Sequence, residues 1–218
     1  MDHEELERAA LWNSLANLGT QVKLKWKIDH HTVENQLKQF DDKWVRQNAL
    51  KDPNNNRWAL PMTSNTGSVN DTMHLGSFGH VGKKQKVEMK EENFITPTEV
   101  YENIPDLKKL VDLFLPDIGR VHVVRVDKGG HFPPHRDFQG LAPEYLRLLT
   151  VFGRCSPENY AQIIDGQLYY PEPGYVYFTN FQLDHSVFSF SDNLYCLILT
   201  VKLNRRNHDI IMQNTMNS

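Results

Sequence analysis

Cysteine is scarce in this 218-residue chain, which has only Cys155 and Cys196. The two thiols show no metal-ligand spacing, and in a reducing compartment both are expected to be plain packing residues. Long apolar runs are missing as well, and the first thirty residues are interspersed with charge. The expectation is a soluble, cytoplasmic chain without membrane contact. Nor is there an excess of one charge: 24 basic residues stand against 27 acidic ones, for a formal net charge of −3 and a pI near 6.4. That balance gives no electrostatic footprint for nucleic acid. Internal repeats and low-complexity blocks are absent too. The glycine series Gly76, Gly79, Gly82 lacks the Gly-Lys-Ser/Thr end of a phosphate-binding loop.

What is present concentrates in residues 120–202. Residues 121–126 alternate as a strand, with His122, Val124 and Val126 on one face and Val121, Val123 and Arg125 on the other. Lys128-Gly129-Gly130 then turns the chain, and Pro133-Pro134 forbids helix and keeps the approach to His135 extended. Residues two apart on an extended chain share a face, so His135 and Asp137 aim at one spot while Arg136 points away. His185 follows a second strand-like run at 174–178 and a polar turn at Thr179-Asn180. Two imidazoles and one carboxylate on one side of a metal leave the opposite positions open, the arrangement of non-haem Fe(II) centres. His-Arg-Asp also occurs in kinase catalytic loops, but no Asp-Phe-Gly accompanies it here.

The order of these features resembles the Fe(II)/2-oxoglutarate-dependent dioxygenases, and most of all their aspartyl/asparaginyl β-hydroxylase branch. The resemblance rests on His135-Arg136-Asp137, then residues 145–151 with Arg147, then Pro173-Gly174 with Tyr175 and Tyr177, then His185-Ser186-Val187 and the apolar run 194–201, about two fifths of the chain. It implies a mainly β, α+β fold in which N-terminal helices accompany a double-stranded β-helix, a jelly-roll or cupin-like barrel. It also implies Fe(II) on His135, Asp137 and His185, with 2-oxoglutarate as cosubstrate and dioxygen as oxidant. The outcome would be hydroxylation of an unactivated C–H bond, in this branch on an amino-acid side chain, free or within a peptide, with release of succinate and carbon dioxide.

One departure stands out. The superfamily usually places a basic residue on the strand after the distal histidine, whereas this chain has Tyr195 and no Arg or Lys between His185 and Lys202. A phenol offers one hydrogen bond and no charge. Arg147 is then the expected partner for the far carboxylate of 2-oxoglutarate, with Tyr195 beside it. Period-two spacing puts Arg147, Leu149 and Val151 on one face, and a guanidinium matches a carboxylate with two parallel bonds. The plainer alternative is an ion pair of Arg147 with Glu144 or Glu158. Two other functions stay open: a cupin-type metalloenzyme that does not use 2-oxoglutarate, and a non-catalytic barrel that binds a small ligand.

The rest of the chain reads as support. Helices are expected at 2–18 and from Asp29 to about residue 50, with a short strand at 22–28 between them. Residues 51–92 read as a polar loop region that could contact substrate, interrupted by an extended stretch from Arg57. Thr96 is expected to cap a helix that Pro105 splits in two. His131 reads as a neighbour of the site or a surface residue, and His122 as a satisfied barrel histidine or a polar contact near the cosubstrate, while His30, His31, His74, His80 and His208 lack ligand spacing. The division expected is 1–118 as a helical and loop-rich part packed on the barrel, 119–203 as the barrel, and 204–218 as a frayed polar tail, together one structural domain.

Overall fold

The computed structural model describes residues 2–49, 51–86, 88–138 and 140–216. In chain order the helices are α1 (His3–Ala16), α2 (His30–Leu37), α3 (Phe78–Gln85), α4 (Glu99–Asn103), α5 (Pro105–Asp112) and α6 (Arg205–Gln213). The first strands are β1 (Gln21–Lys27), β2 (Val45–Arg46), β3 (Arg57–Pro61), β4 (Thr63–Ser64) and β5 (Thr96–Pro97). Eight more follow: β6 (Ile118–Val126), β7 (His131–His135), β8 (Tyr145–Gly153), β9 (Tyr160–Ile164), β10 (Gln167–Tyr169), β11 (Tyr175–Thr179), β12 (His185–Ser189) and β13 (Leu194–Lys202).

From β6 onward the chain passes back and forth between two facing antiparallel sheets. The larger has seven strands in the order β1-β11-β8-β13-β6-β3-β2, and the smaller has four in the order β10-β9-β12-β7. This is the double-stranded β-helix, or jelly roll, with β1, β2 and β3 widening the larger sheet. Strand periodicity divides the apolar residues between two cores. Val121, Val123, Leu148, Phe152, Leu197 and Leu199 face outward and pack with Trp12, Leu15, Leu107 and Ile211 of the helices. Val124, Val126, Val151, Tyr160 and Leu194 face inward, between the sheets.

Local chemistry sets the elements that matter for the site. Gly129, at φ +80, makes the turn from β6 to β7, and a side chain on Gly130 would meet the Asn56 carbonyl at 2.5 Å. Both positions therefore require glycine. In α1 the Asp2 carboxylate accepts from the Glu5 amide at 2.8 Å, an N-cap that starts the helix. Trp12 is buried, packs edge-on against Phe138 and Phe178 with ring centroids 5.2 and 5.7 Å away, and donates its indole N–H to Gln182 at 3.0 Å. Along the outer side of β1, Lys25 donates its amide to the Asn214 carbonyl at 2.8 Å, and Met216 donates to Lys23 at 3.0 Å.

Four expectations are corrected. The second helix ends at Leu37 and passes through a short 3-10 turn at Lys38–Phe40 into β2, so Trp44 packs on Tyr195 at 6.0 Å instead of extending a helical stripe; Leu50 lies outside the described residues. The helix cap sits two residues later than expected: Thr98 accepts from the Val100 amide at 3.2 Å, and Thr96 pairs with Ser64 in β5. The polar region 51–92 contains a helix, α3. The tail holds α6, with Asn207, His208 and Ile211 buried.

Candidate metal centre

The end of β7 and the start of β12 are hydrogen-bonded neighbours, with His135 opposite His185 in register. Asp137 follows β7 by two residues, and its amide donates to the Phe181 carbonyl at 3.1 Å, which holds the loop against the approach to β12. The three side chains meet: one ligand atom from each of His135, Asp137 and His185 lies within 4.8 Å of the others. The imidazole rings are 4.2 Å apart at their centroids.

Each ring has a defined tautomer. Nδ1 of His135 lies 2.7 Å from the Pro133 carbonyl, and Nδ1 of His185 lies 3.0 Å from the Leu183 carbonyl. A carbonyl only accepts, so in both rings Nδ1 carries a proton, and the neutral form of each ring has its lone pair on Nε2. Both Nε2 atoms face the same carboxylate oxygen of Asp137, at 3.5 and 3.8 Å. Metal-binding histidines have this arrangement, with one nitrogen anchored to the backbone and the other free to coordinate.

The electrostatics are set by burial and by one cation. Burial works against the charge of Asp137, but Arg147 in salt-bridge contact and the two imidazoles outweigh it and hold the carboxyl well below its ordinary range. His135 is raised by its contact with Asp137, burial opposing, whereas His185 is lowered, chiefly by burial. The charge-bearing form of Asp137 is therefore kept ready for a cation.

The trio lies on the wall of a cavity of about 620 Å³ between the sheets. Arg147, Leu149 and Val151 line it from β8, and His122, Val124 and Val126 from β6, each set sharing the face that its period-two spacing predicts. His122 is buried and neutral, its pKa driven down by burial and then by the charge of Arg120, and its Nδ1 has no hydrogen-bond partner among the described residues. The partner of Arg147 is Asp137, not Glu144 or Glu158. Tyr195 does not join the site. The cavity face of β13 belongs to Leu194, Cys196 and Ile198, and Tyr195, one residue out of phase, stacks on Phe152 at 5.4 Å on the helix side. His131 stacks on Phe188 at 5.9 Å and does not line the cavity.

Two things escaped the sequence reading. His30, His31 and Glu34 also bring ligand atoms within 4.8 Å of one another, on the first turns of α2 and outside the cavity. Adjacent histidines have no extended-chain ligand spacing, but on a helix His30 and Glu34 are one turn apart. The second omission is Arg57, which reaches the cavity from β3. Its only sequence signal was its place at the head of an extended stretch.

No family model matches the chain, and no curated protein does. Solved structures do. An oxidoreductase of the 2OG-Fe(II) oxygenase family from Burkholderia pseudomallei superposes with a TM-score of 0.50 at 13% identity, over 91% of this chain and 90% of its own. A prolyl-4-hydroxylase from Pseudomonas putida gives 0.49 at 12% identity, over 89% and 97%. KdgF from Halomonas sp. gives 0.31 at 15% identity, over 42% and 75%. At 13% identity the first likeness is one of fold, the jelly roll already traced in the strand order.

Proposed function

We propose that the chain is an Fe(II)- and 2-oxoglutarate-dependent oxygenase that hydroxylates an unactivated C–H bond of an amino-acid side chain, free or in a peptide. The observation that carries this reading is the pair of imidazoles whose anchored Nδ1–H groups leave both Nε2 atoms turned to one half-buried carboxylate. Two nitrogens and one oxygen on a single side fit a non-haem Fe(II) ion with positions left for a chelating cosubstrate and dioxygen. When bound there, iron with 2-oxoglutarate and dioxygen supplies the oxidising power, one oxygen atom entering the substrate and the other succinate, as carbon dioxide leaves.

The residues around the trio have supporting roles. Arg147 keeps Asp137 ionised, and the Pro133 and Leu183 carbonyls fix ring tautomer and orientation. Leu149, Val151, Val124 and Ile198 give the cavity apolar walls that keep bulk water from the reacting carbon. A second reading, a cupin-type metalloenzyme that does without 2-oxoglutarate, draws support from β13, which presents no cation to the cavity.

Anaerobic titration decides between them. Stoichiometric Fe(II) binding, lost in His135→Ala and Asp137→Ala, followed by a charge-transfer band on adding 2-oxoglutarate, is the expected result. Iron binding without that band would favour the second reading. Undiminished iron binding in the double variant would remove the trio from the metal site. A succinate-release screen against free amino acids, short peptides and nucleosides then identifies the substrate class.

A further inference from the structure

Four arginines line the cavity, and three of them are engaged. Arg147 is paired with Asp137. Arg120 donates to the carbonyls of His74 and Gly76 at 2.7 and 2.8 Å and pairs with Glu91 at 3.2 Å. Arg136 makes a two-pronged contact with Asp184, both distances 3.0 Å, on the exposed rim. Arg57 remains. It is 4% exposed, and its Nε has no hydrogen-bond partner among the described residues. Among the described residues no carboxylate lies within ion-pair distance of it, the only acid that acts on it being Asp52 through space. Its guanidinium carbon stands 4.4 Å from the centroid of Phe132. A face-on ring recovers little of what it costs to bury a guanidinium without a counter-ion. A buried cation in that state, on the wall of a cavity, is a site for an anion.

Phe132 gives the position of that site. In the β7–β12 register His135 faces His185, and Phe132 faces Val187. The guanidinium therefore lies over the next step along β12 from the histidine pair, two residues or about 7 Å of strand. That separation is comparable to the length of a five-carbon dicarboxylic acid. We propose that Arg57 holds the far carboxylate of a 2-oxo dicarboxylic acid, 2-oxoglutarate, whose keto-acid end faces His135, Asp137 and His185. Tyr160, whose buried hydroxyl also lacks a partner among the described residues, lines the same cavity and offers a further donor. The inference rests on the oxygenase reading above. Since β13 presents no cation inward, the charge arrives instead from β3, outside the eight strands that form the barrel.

The test is binding, not turnover. Fe(II)-loaded wild type, Arg57→Gln and Arg57→Lys would be titrated anaerobically with 2-oxoglutarate and with 2-oxopentanoate, which keeps the keto acid and lacks the far carboxylate. Calorimetry and the charge-transfer band provide the readouts. Arg57→Gln is expected to lose about tenfold to several hundredfold in affinity for 2-oxoglutarate, the range for one charged hydrogen-bond pair. Its affinity for 2-oxopentanoate and for Fe(II) should be unchanged, and Arg57→Lys should recover part of the loss. Equal loss for both acids would assign Arg57 a structural role and overturn the inference, as would 2-oxoglutarate binding as tight as in wild type. If wild type binds iron and neither acid perturbs it, the oxygenase reading itself fails, and this inference with it.

Discussion

At the scale of single residues, the arginine expected to hold a cosubstrate stands against a carboxylate of the trio. Arg147 is the cation in direct contact with Asp137, whose side chain is only 14% exposed. Removing it leaves a buried carboxylate that regains its preference for a proton. Arg147→Ala is therefore expected to weaken Fe(II) binding about tenfold to a hundredfold. The acid limb of the binding curve should also move to higher pH, because metal must now displace a proton from Asp137; metal titrations across the acid range read both effects. His74 gives a second pH-dependent prediction. Burial, then the charge of Arg120, pushes its pKa from 6.5 down to about 4, and neither ring nitrogen has a partner among the described residues. The unfolded chain takes up a proton below 6.5 and the folded chain does not. The contribution of His74 is thus intact above pH 6.5 and is lost as pH falls toward 4, about 3 kcal/mol in all. His74→Phe keeps the stack on Phe94, and urea unfolding at a series of pH values should show a shallower acid decline. The pairing of His135 with Asp137 was legible because it needs only an extended chain. The role of Tyr195 was not, since it depends on the phase of β13, which pairing with β6 and β8 decides.

Among elements, α1 does more than cover the sheet. Trp12 touches Phe138, the residue after Asp137, and hydrogen-bonds Gln182, which donates to the Gly140 carbonyl at 2.7 Å. One side chain of the first helix thus braces both segments that deliver the trio. Trp12→Ala is expected to cost about 3–5 kcal/mol of stability and, unlike an ordinary core truncation, to weaken Fe(II) binding as well. Denaturant unfolding alongside a metal titration separates the two effects, and unchanged iron affinity would confine Trp12 to packing. Helix α1 was legible from its apolar spacing, and the β6 and β8 faces from period two. Helix α6 was not, because only Ile211 is a buried apolar anchor and polar contacts supply the rest: Asn207 donates to the carbonyls of Asp117 and Lys202 at 3.1 and 2.9 Å, and His208 Nε2 lies 2.5 Å from the Ser14 hydroxyl. Hydropathy carries no trace of such contacts. The overrun of α2 has a different cause. Val33, Leu37, Phe40 and Trp44 fit a helical stripe, but the chain leaves the helix at Leu37 for a 3-10 turn and then pairs β2 with β3.

For the molecule as a whole, the jelly roll was implied by the family resemblance that residues 120–202 carry, not by strand periodicity alone. The widening of the larger sheet was not, since β1 and β3 pair with β11 and β6, strands that lie far along the chain, and β2 joins only through β3. A widened open sheet has strand borders that invite another chain to continue it, and each border here is blunted in its own way. On the smaller sheet, β7 carries Pro133-Pro134 and β10 is three residues long; on the larger, β2 has two residues. The seven-residue β1 is long enough to recruit a stranger, and it is the strand along which Asn214 and Met216 lie. The C-terminal residues therefore act as a guard against uncontrolled sheet extension. A chain cut after Gln213 should keep its barrel and its iron affinity yet self-associate with rising concentration, a change that light scattering would register before any loss of metal binding.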